Sequence, residues 1–149
     1  MWYAGFLRHT HAGSVVRFPD FPDLTAHGAD VREATGRAEE LLDRHLAGLL
    51  TGGVVPPEPS DVSAERDERR LKVSLRPALA VMLQLRWMRQ RQGLSLEQVA
   101  QRMGVSRQRV AHIESCADNW TLQTLDRMTR ALGGELQVLM RPRRRRSVG

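Results

Sequence analysis

The chain holds one cysteine, Cys116, among 149 residues. It can therefore form no internal disulfide and no cysteine-based zinc cluster, which suits a reducing compartment. No apolar run approaches the roughly 20 residues that a membrane-spanning helix needs. The opening MWYAGFLRHTHAGS lacks the basic-then-apolar order of a secretory signal. His9, His11, His27 and His45 show no metal-motif spacing with an acidic partner. These absences predict a soluble cytoplasmic protein with no membrane partner, no metal and no cofactor.

Charge is abundant but unevenly spread. From Met1 to Asp61 there are 5 basic and 9 acidic residues, a net of −4. From Val62 to Gly149 there are 18 basic and 8 acidic, a net of +10. An acidic part joined to a basic part suggests two modules with different partners. The Arg excess on the second favours a phosphate-rich partner such as nucleic acid.

Four stretches are expected. Residues 1–60 form a small antiparallel sheet with one covering helix, residues 61–76 a linker with a short strand or arm. Residues 77–141 form an all-α domain with a closing strand, and residues 142–149 a basic tail. In the first stretch, Trp2 to Leu7 and Ser14 to Phe18 have strand composition, with a brief third strand at Thr25 to His27. Pro19 and Pro22 cannot donate ladder hydrogen bonds and predict a rigid turn. Asp30 and Glu33 have the spacing of a capping box. Val31, Ala34, Ala38, Leu41, Leu42, His45, Leu46 and Leu49 then recur at helical spacing until Gly52 and Gly53 stop the helix. The charge-dense Asp61 to Arg70 has little to bury and reads as linker. Leu71, Val73 and Leu75 alternate with polar residues.

The second module carries the sharpest pattern, SLEQVAQRMGVSRQRVAHIE from Ser95 to Glu114. A helix over Leu79 to Gln92 precedes it. Ser95 and Gln98 are placed to cap Leu96 to Met103, and Ser106 to cap a helix starting at Arg107. Ala100 supplies the small residue where two backbones approach, and Gly104 the left-handed bend. Val99, Met103, Val105, Val110 and Ile113 are the apolar set; Ser106, Arg107, Gln108, Arg109 and His112 face outward. Thr121 or Asn119 opens a further helix to Leu132, and Glu135 to Met140 has strand composition. Trp87 and Trp120 are expected to pack. The Arg141 to Arg146 tail is either a phosphate clamp or free chain.

The stretch from Leu79 to Leu139 resembles the helix-turn-helix of the phage-repressor and Xre class. That resemblance implies that the Arg107 helix enters the major groove. Arg107 has the geometry for a guanine's O6 and N7, Gln108 for an adenine's N6 and N7. His112, one turn on, is a base reader or a solvent-facing residue. Arg109 suits a phosphate or a flanking base, and Ser95 with the following helix N-terminus suits phosphate. Many relatives carry Gln where this chain has Leu96.

The first module resembles the N-terminal domain of HicB-type antitoxins. The match rests on Phe18, Pro19, Asp20, Pro22, Thr25, Glu33, Ala34, Ala38, Leu42, Leu46, Leu49, Gly52 and Pro56 to Ser60. Asp23 stands where a glycine is usual, and His27–Gly28–Ala29 is altered. The resemblance implies an α+β fold related to a partial ribonuclease H fold, without that enzyme's carboxylate set. It also implies the antitoxin of a type II pair. Such a protein binds a HicA-type mRNA-cleaving toxin and represses its own operon through operator DNA. A homodimer or homotetramer is expected, reading half-sites about one duplex turn apart.

Three other readings compete with this one. A helical protein-interaction module explains the helices but not the basic outer face. A nuclease would need Asp20, Asp23, Asp30 and Glu33 as metal ligands. Turn chemistry and helix capping already account for these four, so no enzyme is expected. A stand-alone regulator with a sensing or dimerising N-terminal domain is the main rival.

Overall fold

The computed structural model describes residues 1–115 and 120–140. Its elements run β1 (Trp2–Thr10), β2 (Gly13–Phe18), β3 (Phe21–Gly28), α1 (Val31–Thr51), β4 (Arg69–Ser74), α2 (Pro77–Arg91), α3 (Leu96–Met103), α4 (Arg107–Ser115) and α5 (Leu122–Ala131). This is the α+β architecture expected: an antiparallel sheet followed by helices.

The sheet order is β3-β2-β1-β4, all neighbours antiparallel. The third strand is longer than expected, because Pro22 lies inside it rather than ending the chain's extension. Since β3 is an edge strand, Pro22 removes no ladder bond that the sheet requires. Asp30 caps α1 as predicted: its carboxylate accepts from Glu33 N at 2.8 Å, and Glu33 Oε2 accepts from Ala29 N at 2.7 Å. Ala34, Ala38, Leu42, Leu46 and Leu50 form an unbroken row four residues apart, all buried. They pack on Tyr3, Leu7, Val16, Phe18, Phe21, Ala26 and Val73. Each buried Leu in that row stabilises the fold by about 1.5–3 kcal/mol. The two alanines let the start of α1 approach β3 closely. A Cβ on Gly28 would lie 2.2 Å from Ala34 N, so no other residue fits there.

The 61–76 stretch behaves differently from a free linker. Its second half is β4, which pairs with β1 over Trp2↔Ser74 to Leu7↔Arg69 and completes the sheet. Its first half is held by charge. Arg17 donates to both Glu68 oxygens at 2.5 and 2.6 Å and to Glu65 at 3.2 Å. Arg70 meets Asp61 at 2.7 Å and Arg8 meets Asp67 at 3.9 Å. The hydrogen bonds from Arg17 hold the Glu68 carboxyl below its ordinary range, and Glu68 in turn raises Arg17. Beneath these pairs lie two rings. Arg17 stacks 4.9 Å over Phe6, and Lys72 and Arg70 lie 4.8 and 5.5 Å from the centroid of Trp2.

The proline-rich run before it is also anchored. Prolines offer carbonyls without N–H groups, and two aromatic donors take them up: Tyr3 Oη donates to Pro57 O at 2.6 Å and Trp87 Nε1 to Pro56 O at 2.8 Å. Burial, reinforced by the charges of Asp20 and Glu58, pushes the Tyr3 phenol well above its ordinary value. It therefore remains a donor throughout the physiological range. Trp87 packs, as expected.

Helix α2 joins the two halves. Leu79, Met82, Leu83 and Trp87 belong to the sheet–α1 core, while Leu85, with Val81 and Met88 against it, belongs to the helical core. A helix apolar on both sides is one buried between two partners. The helical core comprises Leu94, Val99, Ala100, Met103, Val110, Ile113, Leu125, Met128 and Leu132 besides Leu85. Trp120 packs against both cores.

The closing strand expected at Glu135 to Met140 does not form. Those residues belong to no strand, and the sheet is made of β1 to β4 alone among the described residues; strand composition forms a strand only where a ladder partner takes up its N–H and C=O groups. Asn119, Cys116 and the Arg141 to Arg146 tail fall outside the described residues. Thr121 is the cap of α5, accepting from Thr124 N at 3.1 Å.

Candidate nucleic-acid interface

The α3–α4 pair is built from local chemistry. Ser95 Oγ accepts from Gln98 N at 3.1 Å, and Gln98 Oε1 accepts from Ser95 N at 2.8 Å, a complete capping box. Gly104 ends α3 at φ 65° and ψ 37°, in the left-handed region where a side chain is strained. Val105 N then returns to Ala100 O at 3.1 Å, tightening the bend. Ser106 Oγ accepts from Arg109 N at 3.1 Å and so caps α4. Val99, Ala100, Met103, Val110 and Ile113 are buried as predicted, and Val105 lies partly buried against them.

What remains outside is the polar face of α4. At about 100° per residue, the buried Val110, Ile113 and Glu114 define one side. Gln108 and His112 lie opposite them, with Arg107 on one flank and Arg109 on the other. Arg107, Gln108, Arg109, His112 and Ser106 are all exposed. Arg107 and Arg109 make no ion pair among the described residues. Their charge is thus left unneutralised beside the positive N-terminal end of a helix dipole, which favours an anion.

Ser95 is exposed at the start of α3, on a separate element, and its hydroxyl is committed to the cap. The amides open to a phosphate there are those of Leu96 and Glu97, the first helical residues. Glu97 places a carboxylate in that same turn.

Two constellations escaped the sequence reading. Glu114, 2 % exposed, receives both ends of the Arg89 guanidinium at 2.7 and 2.8 Å. Arg86, also buried, donates to Glu114 O at 3.1 Å and to Leu50 O at 2.8 Å, tying the ends of α4 and α1 to α2. Burial pulls the Arg86 guanidinium below its ordinary value, Arg89 adds to that, and Glu114 opposes it. The pair orients α4 from behind. Its sequence trace is a carboxylate at an apolar position of α4 with two arginines three residues apart on α2.

The second constellation is Arg102, Arg127 and Arg130, around a depression of about 570 Å³. Arg102 donates to Ala131 O at 3.0 Å and Arg127 to Met103 O at 2.8 Å, while Arg130 pairs with Asp126. These arginines satisfy carbonyls at the C-terminal ends of α5 and α3, where cations are favoured. Among the described residues, no group of three or more His, Cys, Asp or Glu is placed to hold a metal ion. No helix among them is long and apolar enough to cross a membrane.

No curated protein matches this chain. A family match begins inside α2 and leaves the sheet and α1 outside. Residues 83–142 are similar to the helix-turn-helix domain family, which supports a DNA-binding module built on α3 and α4.

Proposed function

We propose that the chain is the antitoxin of a type II toxin–antitoxin pair. Its sheet and α1 neutralise a HicA-type mRNA-cleaving toxin by direct binding, and α4 reads the operator of its own operon as a dimer or tetramer. The observation that carries the DNA half is the exposed face of Arg107, Gln108, Arg109 and His112, its two arginines without an ion pair among the described residues, on a helix capped at Ser106 and held from behind by Glu114. The toxin half rests on the resemblance of residues 1–60 to HicB-type domains and on the acidic balance of residues 1–61. A protein that grips RNA presents basic surface, which a net −4 partner complements. In this reading the chain performs no chemistry of its own.

Co-expression with the neighbouring reading frame tests the toxin half. A short basic product should arrest growth alone, co-purify with this chain and be silenced by it. An innocuous neighbour that does not bind rejects the antitoxin reading.

A stand-alone regulator is the second reading, and one observation favours it. Because α2 belongs to both cores, a ligand on the sheet domain has a mechanical route to α4. Operator binding that persists with no toxin gene nearby, and that changes with a small molecule, would select it.

A further inference from the structure

The side of the sheet turned away from α1 carries cations and rings, and part of the chain already lies on it. Side chains alternate between the two faces of β1. Tyr3 and Leu7 pack with α1, whereas Trp2, Phe6 and Arg8 turn outward. The register sets Arg70, Phe6 and Arg17 in one row across β4, β1 and β2, with Trp2 and Lys72 on the same face. Phe6 belongs to neither apolar core, yet it is only 1 % exposed, with Arg17 over its ring.

The segment above this face is matched to it charge by charge. Asp61 meets Arg70, Glu65 and Glu68 meet Arg17, and Asp67 meets Arg8. Lys72 makes no ion pair among the described residues. The segment lacks an apolar anchor, since Val62, its largest apolar side chain, is exposed. The side chains of Asp61, Glu65 and Asp67 stand largely in solvent, and pairs of that kind hold weakly against salt or a rival polyanion. The firm latch is Glu68, whose buried carboxylate takes two nitrogens of Arg17.

We propose that this face is a second nucleic-acid site, made for a single strand, and that residues 61–68 occupy it as an intramolecular competitor. Spaced carboxylates laid over guanidinium groups make the contacts that the spaced phosphates of a nucleic acid would make. A single strand adds what the segment lacks, flat bases. These stack on aromatic rings and on guanidinium planes, which Trp2, Phe6 and the Arg17 above it provide. An acidic peptide matches the charges but leaves the rings unused. A duplex keeps its bases stacked inside, so this site is distinct from α4. The proposal rests on neither the toxin reading nor operator recognition.

Anisotropy of labelled uridine and thymidine oligomers of about 12 nucleotides, within the site sizes of single-strand binders, is measured with the full chain at low salt. Asp61→Asn, Glu65→Gln, Asp67→Asn and Glu68→Gln together remove the competitor's charge and should tighten binding about tenfold or more. In that background Trp2→Ala should weaken it roughly fivefold or more, and Trp2→Phe should restore it. Lys72→Ala, which leaves every pair of the 61–68 segment intact, should weaken binding of the otherwise wild-type chain and reduce its salt dependence. Tighter binding of the uridine oligomer identifies RNA as the source, and of the thymidine oligomer DNA. A charge-neutralised segment that leaves affinity unchanged overturns the proposal. So does indifference to Trp2→Ala, or a polyglutamate peptide that binds as tightly as either oligomer.

Discussion

The sheet and helix α4 handle their exposed cations in opposite ways. On the sheet, Arg8, Arg17 and Arg70 each meet a carboxylate of the 61–68 segment, and Arg17 and Arg70 also lie over rings. On α4, Arg107 and Arg109 meet none among the described residues, and Gln108 and His112 stand between them. Cations whose charge is met within the fold hold a segment in place. Cations left unmet at a helix N-terminus are available to a partner. The buried pair at Glu114 belongs with the first kind although it sits in the second half, since its work is to fix α4 against α2.

This contrast can be broken in four places. The largest effect is expected at Glu114. Glu114→Ala strands Arg89 and should cost about 3–5 kcal/mol, as removal of one partner of a buried pair does, measured by urea unfolding. A loss below 1 kcal/mol would show that α4 is not anchored there. Next come Arg107→Ala and Gln108→Ala, each costing about 1–3 kcal/mol of operator discrimination with unfolding midpoints unchanged. Fluorescence anisotropy against matched and scrambled duplexes separates the two. Replacing Gly104 with Ala should cost on the order of 1–2 kcal/mol of stability through its left-handed backbone; an unchanged midpoint would mean the turn re-forms.

The smallest effect is at the sheet. Glu68→Gln should cost about 1 kcal/mol, because the amide keeps an acceptor for the half-buried Arg17 and loses only the charge of the pair. Its pH dependence has a definite sign. The Glu68 carboxyl is lowered in the folded state. Its contribution is therefore full above the ordinary carboxylate value and fades as pH falls through the lowered one. The gap between wild type and Glu68→Gln should be widest near neutrality and close in acid; a gap that widens in acid would reverse the assignment.

Much of this was legible where cause and effect are neighbours in the chain. The Asp30–Glu33 box, the Ser95–Gln98 box, Gly104 and the α4 outer face depend on residues within a few positions of one another. What escaped depends on partners far along the chain. Residues 61–68 look solvated until Arg17 and Arg8, about fifty positions away, are brought beside them. The strand at Leu71 and Val73 was visible, but not that β1 takes it into the sheet. The Glu135–Met140 strand was predicted from composition, which describes the side chains of a strand and says nothing of its partner. Glu114 was hidden because its partners sit on α2, 25 and 28 residues away.

The central claim is that α4 reads duplex DNA, and one titration tests it most directly. The full chain is added to the duplex upstream of its own reading frame and to a scrambled duplex of equal length, across a range of salt. Wild type should favour the native duplex by about 10³-fold or more, with affinity falling steeply as salt rises. Arg107→Ala with Gln108→Ala should erase the preference while leaving a salt-sensitive residue of binding. Equal affinity for both duplexes in the wild type, or a preference untouched by the double substitution, would contradict the account.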